Sequence, residues 1–228
     1  IITGKIDLMP DVSNLTIHPY GDSAVIVYLG SQLDRSVNQQ VHALAVRVMR
    51  ARLPGICEVV PGYVSLVIHF DPLQTSLPAV MDGVNDLHAS SGQQPLPPAR
   101  RVEIPVRYGG EGGPDLDFVA RHAGLTTAEV IRRHAAAEYT VYMMGFLPGF
   151  PYLGGLDVSI AAPRLETPRR RVPAGSVGIA GEQTGIYPLA SPGGWRLIGR
   201  TEVALFDLTA HPPCLLAPGD QVQFIPIR

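Results

Sequence analysis

The chain has 228 residues, 46% of them hydrophobic, and a formal net charge of -2. That is enough apolar material for one large or two ordinary globular domains, and the near-neutral charge argues against a nucleic-acid binder built around a basic face. Lys5 is the only lysine, and it lacks the Gly-rich context of a phosphate-binding or cofactor-bearing lysine, which excludes a P-loop, a pyridoxal site or a biotin carrier within the chain.

Residues 1–13 show no clear period and read as a loose arm. Thr16 to Pro19, a turn at Tyr20 to Ser23, and the β-branched run Ala24 to Leu29 read as a first strand pair. Val37, Val41, Leu44, Ala45, Val48 and Met49 then recur on one face of a helix over about 36–52, stopped by Pro54-Gly55. Ile56 to Val60 and Val64 to Phe70 predict two strands around Pro61-Gly62. Leu77 to Ala89 predicts a second helix with Val80, Val84 and Leu87 inward. These elements amount to a small α+β domain over 14–92. Ser90 to Pro98 combines Ser/Gly flexibility with proline stiffness and reads as a linker.

A second domain over 99–228 opens with the strand Arg101 to Tyr108. Gly109 to Gly113 is a loop whose glycine spacing is not that of a dinucleotide fingerprint. One helix begins at Pro114-Asp115 and ends at Gly124. Another is announced by Thr126-Thr127-Ala128-Glu129, a capping box in which Thr126 and Glu129 would each accept from the other's backbone N–H. Tyr139 to Met144 returns to strand. Trp195 to Ile198 and Glu202 to Phe206 predict a hairpin around Gly199-Arg200-Thr201, and Val222 to Ile225 a closing strand. Many short strands at this spacing predict a closed or nearly closed β-barrel, so the fold class is α+β and β-rich.

The most informative stretch is Tyr142 to Trp195. Pro148-Gly149, Gly193 and Gly194 punctuate it, and Phe146, Phe150, Tyr152, Tyr187 and Trp195 stud it with rings. Two readings stay open: loops that shape an aromatic-walled pocket, or tight turns with the rings in a core. Arg164, Arg169 and Arg171 lie between Pro163, Pro168 and Pro173. They are either anion contacts on a stiffened backbone or solvated surface. Gln183, Thr184 and Tyr187 could hydrogen-bond an amide or carboxylate in such a pocket. Ala174 to Gly178 approaches a GxSxG nucleophile elbow, but the glycines after Ser176 forbid the helix an elbow requires. The seven histidines form no HxH or HExxH, and no Cys/His cluster has zinc spacing, so no metal is expected. Cys57 and Cys214 show no disulfide-framework spacing. With no signal peptide and no apolar span visible, a soluble cytoplasmic protein is expected, with no membrane contact.

Taken together, GFLPGFPYLGGL, PRLETPRRRVPAGSVGIAGEQTGIYPLASPGGWRLIGRT, the closing LAPGDQVQFIPI and the upstream YGGEGGPDLDFVARHAGLT resemble the family of the 5-oxoprolinase B subunit, also called the KipI or allophanate hydrolase subunit 1 family. The likeness covers about Ile17 to Ile227. It implies a small α+β N-terminal domain followed by a cyclophilin-like β-barrel. It also implies two partners, the C subunit of 5-oxoprolinase (the allophanate hydrolase subunit 2 type) and its A subunit, with which the family opens 5-oxoproline to L-glutamate at the expense of ATP. In the alternative the resemblance allows, the protein binds and inhibits a sensor histidine kinase. No catalytic residue follows from it. The anion-binding candidates are Arg164, Arg169, Arg171, Gln183, Thr184 and Tyr187. The pocket-shaping candidates are Phe146, Pro148, Gly149, Phe150, Tyr152, Gly193, Gly194 and Trp195.

Overall fold

The computed structural model describes residues 15–32, 34–90 and 99–228. The readings of 1–13 as an arm and of 91–98 as a linker lie outside them. The chain divides into two compact units, on either side of Pro98 and Ala99.

In the first unit, β1 (Thr16–Pro19), β2 (Ala24–Tyr28), β3 (Ile56–Pro61) and β4 (Ser65–Phe70) form an antiparallel sheet in the order β1-β2-β4-β3. Alternation decides its faces. Val25, Val27, Leu66 and Ile68 point to one side and are buried with Val41, Leu44 and Val48 of α1 (Arg35–Ala51) and Val80 and Val84 of α2 (Leu77–Ala89). Asp34 caps α1 by accepting from the Ser36 and Val37 amides at 2.7 and 3.3 Å. Met49, expected on the inward face, is exposed. It lies one position past Val48, and the inward stripe is too narrow to take both.

In the second unit, β5 (Arg101–Tyr108) leads through a single 3-10 turn to α3 (Leu116–Ala123) and α4 (Thr127–Ala136). Then come β6 (Glu138–Met144), β7 (Pro151–Gly154), β8 (Arg169–Val172), β9 (Ser176–Ala180), β10 (Gln183–Ile186), β11 (Ser191–Gly193), β12 (Arg196–Arg200) and β13 (Gln221–Ile227). Seven of these strands close into a barrel in the order β10-β7-β6-β13-β5-β12-β9, while β8 and β11 pair separately. The barrel is filled by inward residues such as Ile104, Val106, Val141, Val177, Ile179, Ile198 and Phe224. This is the barrel that the strand spacing predicted.

Two expectations here are corrected. The hairpin around 199–201 does not form: Gly199 lies within β12, opposite Tyr108 and Val177. A Cβ there would stand 2.7 Å from a Val106 methyl, so this glycine serves close strand approach rather than a turn. Residues 202–206 run irregularly, tied down by an isolated bridge between Phe206 and Cys214. The capping box is only half made. Thr126 Oγ1 accepts from the Glu129 amide at 3.2 Å, but the Glu129 carboxylate turns to Arg132 and Arg133, each with a bond of 2.7 Å. Two guanidinium groups one turn further on outcompete a single backbone N–H.

Candidate functional site

Two consecutive turns build the centre of the Tyr142–Trp195 stretch. The Leu147 amide donates to the Gly145 carbonyl at 2.7 Å, which makes Phe146 the middle residue of a γ-turn with a φ of 65°. That backbone is strained for a residue with a side chain. Next, the Phe150 amide donates to Leu147 across Pro148-Gly149, with Gly149 at a φ of 80° as the third residue of a β-turn. Gly149 also packs where a Cβ would stand 2.9 Å from Phe206. The pair of turns presents Phe146 to solvent, 59% exposed, while seating Phe150 in the protein.

Around Phe150 the rings meet edge to face. Its centroid lies 5.2 Å from Tyr187, 5.5 Å from Trp195 and 5.5 Å from Phe146, and 4.9 Å from Tyr152 in a tilted pair. Each such contact adds about 0.5–1.5 kcal/mol beyond burial. The cluster lies on the outer face of β9 and β10. Val177, Ile179 and Ile186 fill the barrel, whereas Gly185 faces outward, with no room for a Cβ beside Phe150 and Trp195. Gly193 likewise runs against Tyr187, whereas a Cβ at Gly194 would make only ordinary contact with Pro168. Burial raises the Tyr187 hydroxyl pKa, opposed by a hydrogen bond with the Trp195 backbone and by the Arg164 charge. The same burial raises Tyr152. Arg164 is exposed, and its guanidinium carbon stands 5.9 Å from the Trp195 ring centre. No carboxylate pairs with it among the described residues.

The other candidates part company with this cluster. Arg169 turns to the buried Asp115, to which it gives two bonds of 2.8 Å, and it also donates to the Trp195 carbonyl at 3.3 Å. Asp115 further accepts from the Leu197 amide at 2.7 Å. Arg169 is thus occupied by an internal carboxylate, and the expectation of a free anion contact there is corrected. The signal for Asp115 lay 54 residues away in sequence, where the residue read only as a helix start. Arg171 stands exposed on β8. Gln183 is half-buried on β10, paired with Ala180.

Thr184 points into the barrel, away from the rings, and is corrected as a pocket residue. Its hydroxyl donates to the Gly178 carbonyl at 2.9 Å and therefore accepts from His134 Nε2 at 3.0 Å. That leaves His134 Nδ1 to accept from the Tyr108 hydroxyl at 2.7 Å. Every member of this chain of bonds is satisfied inside an apolar core. Burial lowers the His134 pKa to about 3 and raises that of Tyr108 well above its usual value, so both stay neutral. The readings from sequence missed His134, which seemed only one of seven scattered histidines.

A cleft of about 880 Å³ lies elsewhere on this unit. Arg107, Gly109–Gly112, Ser176, Arg200 and Thr201 line it. Of the Tyr142–Trp195 stretch only Pro173 and Ser176 reach it. Ser176 begins a strand rather than a strand-to-helix elbow, so the nucleophile arrangement is absent, as the glycines after it imply. Among the described residues no cluster of His, Cys, Asp or Glu could hold a metal ion, both cysteines are free, and no helix is long and apolar enough to cross a membrane.

Comparison with known proteins agrees with this architecture. Residues 15–216 match the family model described as the carboxyltransferase domain, subdomain C and D. The 5-oxoprolinase B subunit of Bacillus subtilis is 46% identical over 221 residues, 92% of each chain. That of Escherichia coli O157:H7 is 44% identical over 207 residues, 90% of this chain and 93% of that one. Among solved structures, TTHA0988 superposes with a TM-score of 0.80 at 40% identity over 90% of this chain, which spans only 40% of that larger protein. The Kluyveromyces lactis urea amidolyase, at 24% identity and a TM-score of 0.75 over 96% of this chain and 15% of its own, shares the fold. The chain belongs to the family of the 5-oxoprolinase B subunit, within the carboxyltransferase subdomain C and D class.

Proposed function

We propose that this chain is the B component of an ATP-dependent 5-oxoprolinase that opens 5-oxo-L-proline to L-glutamate together with the A and C components. The observation that carries this reading is near-full-length identity above 40% with relatives named for that component. The chemistry is compatible with the site. An unstrained lactam opens when its amide oxygen is activated, and the activated state gathers negative charge that needs a fixed cation nearby. Arg164, unneutralised and seated over Trp195, is the cation we assign to that task. Phe150, Tyr187 and Trp195 are buried, so Phe146, 59% exposed, is the ring of this cluster that we assign to substrate contact. The described residues contain no lysine with which to grip a triphosphate, so we assign ATP to the complex rather than to a pocket of this chain alone. In this reading Arg169 and Asp115 are positioning residues that hold β8 and β12 in place under the aromatic surface.

The test is to co-purify the chain with the A and C components and to follow L-glutamate released from 5-oxoproline with and without ATP. The expected result is turnover that needs ATP and all three chains. A fully assembled set that releases no glutamate would overturn the reading.

A further inference from the structure

The strand register places three side chains in one row across the outer face of the barrel. Ser176 on β9 is the partner of Arg200 on β12, and Arg200 is the partner of Arg107 on β5. Adjacent strands lie about 4.8 Å apart, so the two arginines start from directly opposed backbone positions. Like charges so placed repel and destabilise a sheet. Nothing within ion-pair distance offsets them among the described residues. Arg200 spends its Nε on the Ala174 carbonyl at 3.0 Å, and its terminal nitrogens carry no such bond. All three residues line the 880 Å³ cleft, a size suited to small-molecule binding.

A second observation points the same way. Ser176, 1% exposed, lines the cleft beside the two arginines. Thr201, 3% exposed beside it, accepts from the Val203 amide, which leaves its hydroxyl proton to give. Gly109 and Gly110, both at positive φ, carry the backbone along the same wall. Glu111 and Glu202 also line the cleft, and neither is within ion-pair distance of either arginine.

We propose that this cleft is an oxyanion site that takes the phosphate or carboxylate group of a small molecule. The Arg107 and Arg200 forks grip the anion, and the Ser176 and Thr201 hydroxyls donate to it. Planar guanidinium forks match either anion bidentately. The two glutamates select against a polyanion, so the ligand carries a single oxyanion group. The cleft is lined by a different residue set from the aromatic surface, and the claim stands whatever reaction the complex performs.

The test titrates the full chain with sodium phosphate and, separately, with sodium acetate at constant ionic strength, following the backbone amides of Gly109–Gly112 and Thr201 by NMR. The expected result is a saturable shift confined to those amides. Arg107→Gln and Arg200→Gln should each weaken binding tenfold or more, and Ser176→Ala severalfold. Tighter phosphate binding assigns a phosphorylated ligand, and tighter acetate binding a carboxylate. Shifts that stay linear in salt, or that are unchanged in Arg107→Gln, would overturn the site. A second readout separates ligand binding from a structural role. In anion-free buffer, Arg107→Gln relieves the like-charge pair and should raise the Tm by about 1–2 °C. A lower Tm would mean that the arginine is there to hold the sheet.

Discussion

The two faces of β9 and β10 are built from the same short strands, yet they treat polarity in opposite ways. Inward, Thr184, His134 and Tyr108 pass hydrogen bonds from one to the next, with each donor and acceptor used. Outward, the aromatic cluster carries a strained turn at Phe146 and, in Arg164, a guanidinium with no carboxylate in ion-pair distance among the described residues. Buried polar groups must be paired, because an orphan inside a low-dielectric core is costly. A face that meets ligand or partner can keep groups unpaired until the other molecule arrives. Arg169 and Arg164, five residues apart in a proline-rich run, fall on opposite sides of this division. One is consumed by Asp115, and the other is free to act.

The comparison breaks most readily at Asp115. Asp115→Ala removes the carboxylate that holds both Arg169 and the Leu197 amide, and should cost about 3–5 kcal/mol in urea denaturation of the barrel unit. A loss under 1 kcal/mol would mean that the pair contributes little to the fold. Thr184→Val keeps the shape but takes away the acceptor for His134, and should cost about 1–3 kcal/mol by the same measurement.

Acid sharpens the contrast. The His134 pKa is about 3 in the folded protein against 6.5 for an ordinary histidine. The folded value is depressed, so the unfolded chain takes up the proton first as pH falls. The contribution of a neutral, buried His134 is therefore complete above pH 6.5 and is lost between pH 6.5 and 3. The expected slope from this residue is about 1.4 kcal/mol per pH unit in that window. His134→Gln should flatten that part of the stability curve, and an unchanged slope would show that other groups produce it. Outside the barrel the effects on stability shrink. Phe146→Gly relieves the positive φ but loses the ring contacts with Phe150 and Tyr187, two effects of about 1–3 kcal/mol and opposite sign. Its melting temperature should stay close to that of the parent while turnover by the assembled complex falls, and an unchanged turnover would make the turn merely structural.

Most of the elements were legible in the sequence because period and punctuation are local. The 3.6-residue recurrence marked α1 and α2, and alternation marked β4 and β5. The ring cluster was legible only as composition. That the rings share one surface depends on Gly185 and Gly193 letting them approach, and on a γ-turn that no propensity rule assigns to phenylalanine. Asp115 and the row of Ser176, Arg200 and Arg107 were out of reach for a different reason. They are joined by strand register across the barrel, and register is a long-range property that a short strand does not carry by itself. Thr184 was misplaced for the same reason: a four-residue strand can show either face to the core until its neighbours are known.

The most direct test of the account is the Arg164→Ala variant in the complete complex. The account predicts a melting temperature that changes by less than about 2 °C, because the residue is exposed and unpaired. It also predicts intact assembly with the A and C components, and a kcat/KM for ATP-dependent 5-oxoproline opening at least tenfold lower, which corresponds to about 1.4 kcal/mol of lost transition-state stabilisation. Turnover equal to that of the parent complex would contradict it, and would leave Arg164 as a solvated surface residue beside the aromatic cluster.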